Sequence, residues 1–430
     1  MTLVAGLLVL LVLRLHPSPA KDAGRSGAMG RVAPALVEPP TGNASPVAAI
    51  GRLLDRRSAA VLHRDRLAFM ATVDPGSPAF RRSQVALFDA LAHVPLSSWS
   101  YRLDGQQQRS LPPDRRARYA APTYQPGVVV LSYGLRGFDD TPARLPMYLT
   151  FVHRPAGWLL ASDRDLDGTG VRTAREPWDF GPVTVVTGRS SLVLGHPKSH
   201  ARLVALAAEA DRAVPAVTAV WGSGWARRVV LVVPDDAAEL TRLLAEDRDV
   251  SRLAAVATAW SAPGAGPVGQ RVLLQPTNFA RLGPLGRRVV LTHEITHVAA
   301  RSLTGPTAPT WLVEGFADYV AYRGTAAPVR VAAAELTADV RAGRLPTGLP
   351  GANRFRGGDG RIAQAYEEGW LACRLIAESG GSVALVRFYR AAAARGDPPT
   401  TLATAFRDVL GTTQAAFTTR WRAYLRAQLS

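Results

Sequence analysis

The sequence predicts an α+β protein of two domains, and three observations support that prediction. The chain has 430 residues, which is enough for roughly two to three domains of ordinary size. Between residues 46 and 176 helical periodicity comes first and strand patterns follow, whereas from 180 to 430 strands come first. This segregation of helices and strands is typical of α+β domains. With 47% apolar and 20% charged residues, the composition excludes collagenous, coiled-coil and wholly disordered chains.

The amino terminus carries a short apolar segment that indicates export. Residues 2–13 are almost all apolar, and they are too few for a bilayer core, which needs about 20. They match the apolar part of a secretory signal, and residues 18–20 resemble its cleavage site. We expect residues 1–20 to be a signal peptide or membrane anchor, so the protein is expected to be secreted or membrane-anchored, outside the cytoplasm. No basic residue precedes Arg14, so a fortuitous apolar terminus stays open.

Residues 21–45 are rich in Gly, Ala, Pro and Ser and are predicted to form a flexible linker. The first folded domain is predicted over residues 46–176, with no catalytic constellation in it. Its sequence predicts two helices, at 48–69 and 80–91, and three strands, at 127–135, 145–153 and 157–162. This order of helices and antiparallel strands resembles the NTF2-like fold.

The second domain is predicted over residues 180–430. Its sequence predicts strands at 183–194, 228–234, 255–260 and 270–275, and helices at 201–220 and 236–245. After Pro284 the pattern is almost wholly helical to the end of the chain.

A His-Glu-x-x-His sequence lies in this helical part, at His293, Glu294 and His297. On a helix, residues four apart share one face, so the two imidazoles can bind one metal ion. Glu294 lies about 100° around the helix from His293, close enough to reach a water at that metal. With 8 His and 11 Glu in the chain, the pattern should arise by chance about 0.004 times. The alternative is a pair of structural histidines beside a salt-bridging glutamate.

A second motif follows shortly, in a helix predicted from Thr310 to about Tyr322. Glu314 could supply the third ligand of a His₂Glu site that keeps its fourth position open. Asp318 lies one turn later on the same face and could accept the free N–H of a ligating imidazole.

Together, His293-Glu294-x-x-His297 and Glu314-x-x-x-Asp318 resemble the gluzincin zinc metallopeptidases. The Trp-Leu-x-Glu-Gly-x-Ala-x-Tyr sequence from Trp311 is similar to that of the peptidase-MA-like family in particular. The resemblance implies a zincin-like domain with one Zn²⁺ held by His293, His297 and Glu314. It implies hydrolysis of peptide bonds by a zinc-activated water with Glu294 as general base, and an edge strand at 269–275 that pairs with the substrate. An ordinary core strand at 269–275 is an equal alternative.

The oxyanion that develops during hydrolysis needs a stabiliser besides the metal. No histidine follows His297, so a tyrosine is the expected substitute. Tyr366 is our candidate catalytic residue, and a helix-start tyrosine that only packs is an even alternative. Tyr319 and Tyr322 are poorer candidates because both are expected to pack.

The net charge is +17, and 49 of the 51 basic residues are arginines scattered along the chain. This pattern indicates weak contact with anionic cell-envelope polymers, and no specific nucleic-acid motif accompanies it. The expected partner is a peptide or protein substrate. Two alternatives remain, a non-proteolytic zinc hydrolase and a cell-envelope binding protein on an inherited zincin fold. The single cysteine, Cys373, excludes an intramolecular disulfide.

Overall fold

The computed structural model describes residues 45–104, 108–244, 249–262, 266–356, 360–394 and 397–430. Within these ranges the protein is mixed α and β, about half helical, with two antiparallel sheets and one mixed sheet. The predicted signal segment 1–20 and nearly all of the predicted linker 21–45 lie outside the described residues. In the described ranges, no helix combines the length and the apolar character that a membrane span needs.

The amino-terminal region contains short helices and two small sheets. Its helices are α1 (Pro46–Leu62), α2 (Arg66–Met70), α3 (Pro78–Ala90) and α4 (Pro113–Arg116). Its strands are β1 (Leu96–Leu103), β2 (Thr123–Tyr124), β3 (Val129–Leu135), β4 (Ala143–Met147), β5 (Thr150–Arg154) and β6 (Gly157–Ser162). They form two three-stranded antiparallel sheets, in the orders β1-β3-β4 and β2-β5-β6.

Three details of this region differ from the prediction. The helix expected at 48–69 is two helices, because Arg64 adopts a positive φ of 56° and Asp65 then caps α2. The strand expected at 145–153 is divided between β4 and β5, which belong to different sheets. Strand β1 was not predicted at all. The NTF2-like assignment stays a prediction.

The carboxy-terminal region begins with a five-stranded sheet and ends in helices. Its strands are β7 (Thr184–Thr187), β8 (Ser191–Gly195), β9 (Val229–Val232), β10 (Ala255–Ala262) and β11 (Gly266–Leu274). Its helices are α5 (His200–Trp221), α6 (Ala237–Leu243), α7 (Pro276–Arg281), α8 (Pro284–Ala300), α9 (Thr310–Tyr322), α10 (Val329–Ala332), α11 (Ala334–Arg341), α12 (Ile362–Ala392), α13 (Pro398–Leu410) and α14 (Gln414–Leu429). The predicted change from strands to helices is confirmed in the described residues.

The sheet order is β10-β11-β9-β8-β7, with β9 parallel to both β8 and β11. In the described residues β10 is therefore the edge strand on the side of β11, which lies between β10 and β9, and β7 is the edge strand on the other side. The expectation of an edge strand at 269–275 is wrong. It placed the edge at the strand nearest the metal motif in sequence, whereas the antiparallel pairing of β10 with β11 moves the edge one strand outwards.

The predicted boundary between 176 and 180 falls inside a shared hydrophobic core. Trp99 and Tyr133 of the first region pack in the same cluster as Leu192, Leu194 and Val230 of the five-stranded sheet. The first region therefore packs directly against the sheet. The limits 46–176 and 180–430 stay predictions about folding units.

Two glycines bring helix α12 against helix α9. A Cβ added at Gly315 would lie 2.2 Å from the carbonyl oxygen of Gly369, and one added at Gly369 would lie 2.6 Å from that of Trp311. Distances below 3 Å are steric clashes, so only glycine permits this approach of the two backbones. The contact sets the position of Tyr366, which lies one turn before Gly369 on α12.

Candidate metal centre

Three predicted ligands meet at one buried point between α8 and α9. The Nε2 atoms of His293 and His297 are 2.9 Å apart. Glu314 Oε2 lies 3.3 Å from the first nitrogen and 3.5 Å from the second. All three side chains are at most 3% exposed. Helical spacing on α8 supplies the histidine pair, and α9 supplies the carboxylate.

The donor set fits a zinc ion. Ligands about 2.1 Å from Zn²⁺ in a tetrahedron lie about 3.4 Å from one another, close to the observed separations. Glu314 Oε2 is buried and makes no ordinary hydrogen bond to a described residue, although two imidazole nitrogens are near it. A buried carboxylate oxygen facing two nitrogens requires a cation between them, either protons or a metal.

Asp318 orients His293. Its Oδ1 lies 2.8 Å from His293 Nδ1 and accepts a hydrogen bond from the N–H at that nitrogen, so the other nitrogen, Nε2, faces the triangle without a proton. Such a carboxylate partner behind a ligating imidazole fixes the tautomer and the ring orientation. The spacing of Glu314 and Asp318 on α9 therefore gives the arrangement predicted from the sequence.

We expect Asp318→Asn to weaken zinc binding by about 10- to 100-fold, because an amide holds the His293 tautomer less strongly. Competition with a chromophoric zinc chelator would measure the change. Asp408→Asn is the matched control, since Asp408 is exposed and pairs only with its neighbour Arg407 in the described residues. Equal zinc affinity of Asp318→Asn and the parent would contradict this role.

Glu294 lies beside the ligand triangle but is held differently. Its Oε2 accepts a hydrogen bond of 2.7 Å from the backbone N–H of Ala257 on β10. Its Oε1 has no hydrogen-bond partner among the described residues, and the side chain is fully buried. One oxygen is thus anchored to the edge strand, and the other is available to bind and deprotonate a water.

The charges of the cluster shift its pKa values in opposite directions. Burial raises the pKa of Glu294, although the two neighbouring histidines partly offset it. Burial also opposes ionisation of Glu314, but His297 and His293 outweigh that effect and lower its pKa. Burial would lower the pKa of His293, whereas Asp318 and Glu314 raise it. The site therefore favours an ionised Glu314 beside positive charge, as a metal ligand requires.

Tyr366 lies next to this cluster. Its ring centroid is 6.4 Å from that of His293, and its other ring neighbour is Phe355 at 5.2 Å. The side chain is 7% exposed. Both a catalytic and a packing role agree with this position, so the catalytic role stays a prediction. As expected, Tyr319 and Tyr322 pack against the hydrophobic core.

A second group of possible ligands, His196, Asp235 and Glu239, has a simpler explanation. His196 Nε2 lies 2.9 Å from Glu239 Oε1, and the other oxygen of Glu239 accepts from the N–H of Asp235. Asp235 also pairs with Lys198 at 3.0 Å. These contacts form an ion-paired start to helix α6, so the His293 cluster is the better metal site.

Two residues near Glu294 were missed from the sequence, Ala257 and Arg301. Arg301 Nη2 donates to the carbonyl oxygen of Ala257 at 2.7 Å. The available signal was the spacing of seven residues between Glu294 and Arg301, which places them on one face of α8. That Glu294 and Arg301 both bond to Ala257 on β10 depends on tertiary packing, which the spacing does not show.

No protein-family model matches the sequence. No curated protein sequence matches it either.

Among solved structures, the chain is similar to mutants of an M1 zinc metallopeptidase from Deinococcus radiodurans. For the one bound to a Tyr-Ser-Ala substrate, identity is 17%, the TM-score is 0.33, and the match covers 65% of this chain and 58% of that one. For another structure of that enzyme, identity is 16%, the TM-score is 0.34, and the match covers 77% of this chain and 61% of that one. For native yeast LTA4 hydrolase, identity is 13%, the TM-score is 0.36, and the match covers 65% of this chain and 44% of that one. The chain spans less than two thirds of these proteins, and similarity this low transfers no activity to it.

Proposed function

We propose that this chain is an exported zinc-dependent metallopeptidase that hydrolyses peptide bonds. The observation that carries the proposal is the buried triangle of His293, His297 and Glu314, with Glu294 beside it. A structural zinc site does not require a further carboxylate such as that of Glu294, buried beside the ligands with Oε1 unpaired among the described residues. That second feature supports a hydrolase over a structural metal site.

A bound Zn²⁺ would supply a Lewis acid that polarises the scissile carbonyl and makes water more acidic. Glu294 Oε1 takes a proton from the attacking water and then gives it to the leaving amine nitrogen. The Ala257 N–H keeps Glu294 in place during this transfer through Oε2. The Tyr366 hydroxyl donates to the oxyanion that forms on the carbonyl oxygen.

Strand β10 is the best candidate for the substrate-binding edge. It pairs with β11 on one side, and Ala257 faces α8 on the other. An extended peptide can add through main-chain hydrogen bonds to the part of this edge beyond Ala257, whose own outward groups are bonded to Glu294 and Arg301. The substrate is accordingly a peptide or protein in an extended conformation. Export by residues 1–20 and weak contact of the arginine-rich surface with anionic polymers complete the proposal.

The test is the zinc content of the purified full chain, measured by elemental analysis beside Glu314→Ala. We expect one zinc per parent chain and a small fraction of that in the variant, because a carboxylate ligand is lost. Glu378→Ala is the control, since this exposed glutamate lies far along α12 from the triangle and pairs with Arg374 four residues earlier. No zinc in a folded parent, even after zinc is supplied, would refute the proposal and favour an envelope-binding protein.

A further inference from the structure

One side chain of α8 and that of its C-cap residue hold one residue of the edge strand. Glu294 Oε2 accepts from the N–H of Ala257, and Arg301 Nη2 donates to its carbonyl oxygen, each at 2.7 Å. Seven residues separate Glu294 from Arg301, which is about two turns, so both side chains leave the same face of the helix. Both outward main-chain groups of Ala257 are therefore occupied by α8.

These contacts are buried. Glu294 is 0%, Ala257 6% and Arg301 9% exposed. A buried carbonyl that has lost its hydrogen-bond donor is destabilised by its full desolvation penalty. The bond from Arg301 therefore stabilises the observed position of Ala257. Among the described residues Arg301 forms no ion pair, and the Ala257 carbonyl is the hydrogen-bond acceptor it reaches.

Arg301 does not reach the ligand triangle directly. It lies one turn after His297, at the residue that caps the C-terminus of α8, and its guanidinium reaches β10. It touches neither a predicted zinc ligand nor the carboxylate of Glu294 through a hydrogen bond. The hydrogen-bonded route from Arg301 to Glu294 therefore runs through Ala257, in addition to the attraction between their opposite charges.

We infer that Arg301 is a positioning residue for the proposed general base. It fixes the outer edge of β10 at Ala257, so that the Ala257 N–H holds Glu294 by Oε2 and Oε1 remains the proton acceptor. This inference rests on the proposed function in its reference to a base. The hold of Arg301 on Ala257 can be measured without any substrate.

The first experiment is native-state amide hydrogen exchange at Ala257 in the full chain, because that N–H is the one bound to Glu294. We expect Arg301→Met to speed exchange there by about tenfold or more, with zinc per chain unchanged. Arg301→Lys keeps a donor and should restore part of the protection. Arg202→Met is the matched control, since Arg202 also donates to a carbonyl, that of Pro276 at 2.9 Å.

The second experiment is a double-mutant cycle on peptide hydrolysis with Arg301→Met and Glu294→Gln. We expect Arg301→Met alone to lower kcat by about tenfold with little change in KM, and to cause no further loss once Glu294 is replaced. A merely structural role would lower the rate equally in both backgrounds. If Arg301→Met does not fold, Arg301→Gln and Arg301→Lys provide the same comparison.

Two results would overturn the inference. One is unchanged exchange at Ala257 in the folded Arg301 variants. The other is an equal loss of kcat from Arg301→Met with and without Glu294. A parent that binds no zinc and cleaves no peptide would refute the proposed function instead, and the exchange result would still decide whether Arg301 holds Ala257 and its N–H bond to Glu294.

Discussion

Replacing Glu294 by glutamine is expected to lower peptide hydrolysis by about 10²- to 10⁴-fold, the usual contribution of a general base. Glutamine has nearly the same shape, and its amide oxygen can still accept the N–H of Ala257. It cannot take a proton from water at neutral pH. Glu294 is outside the triangle of His293, His297 and Glu314, so zinc binding should remain.

The measurement is turnover of a cleaved peptide beside zinc per chain for the same preparations. Glu378→Gln makes the same chemical change at an exposed helix position and should match the parent. Loss of both zinc and activity in Glu294→Gln would show a damaged site rather than a lost base. Full activity with zinc bound would exclude Glu294 as the general base.

The ligand cluster could be predicted because its information is local. His293 and His297 are four residues apart, and Glu314 and Asp318 repeat that spacing on α9. A helical period brings each pair to one face, whatever the rest of the chain does. The sequence also indicated the helical part after Pro284, since helix signals are strongest in long periodic segments.

The surroundings of the cluster could not be predicted because they depend on contacts between distant segments. Ala257 and Glu294 are 37 residues apart, and their hydrogen bond exists only because β10 is the edge of the sheet. The approach of Tyr366 depends on the contact between Gly315 and Gly369. The pattern at 145–153 predicted a single strand. Periodicity does not show that the chain passes from one sheet to another between β4 and β5.

A buried ion pair links the amino-terminal region to the strands beside the site. Arg271 on β11 donates from Nη1 and Nη2 to the two oxygens of Asp139, each at 2.8 Å, and both side chains are 5% exposed. The Tyr133 hydroxyl accepts a hydrogen bond of 3.3 Å from Arg271 Nη2 and donates one of 2.7 Å to Glu176 Oε1. Burial raises the pKa of Glu176 to about 7. The two regions thus share a buried polar network as well as an apolar core.

Removing one partner of this pair should destabilise the protein strongly. We expect Asp139→Asn or Arg271→Met to lower the free energy of unfolding by about 3–5 kcal/mol, because each leaves a buried group without its partner. Denaturant unfolding of the full chain, followed by tryptophan fluorescence, would measure the loss. The double variant should lose less than the sum of the two single losses, since the second change removes the uncompensated partner.

The neighbouring residue provides a control within the same contact. Asp140 pairs with Arg228 at 3.0 Å and also joins the two regions, but its side chain is 73% exposed and that of Arg228 is 38% exposed. Because exposed pairs contribute about 0–1 kcal/mol, Asp140→Asn should change stability little. Equal effects of Asp139→Asn and Asp140→Asn would mean that the buried network does not fix the two regions together. A large effect of Asp139 alone would mean that the amino-terminal region stabilises the edge strand. Arg271 on β11 pairs with Thr258 on β10, and Thr258 is the residue after Ala257.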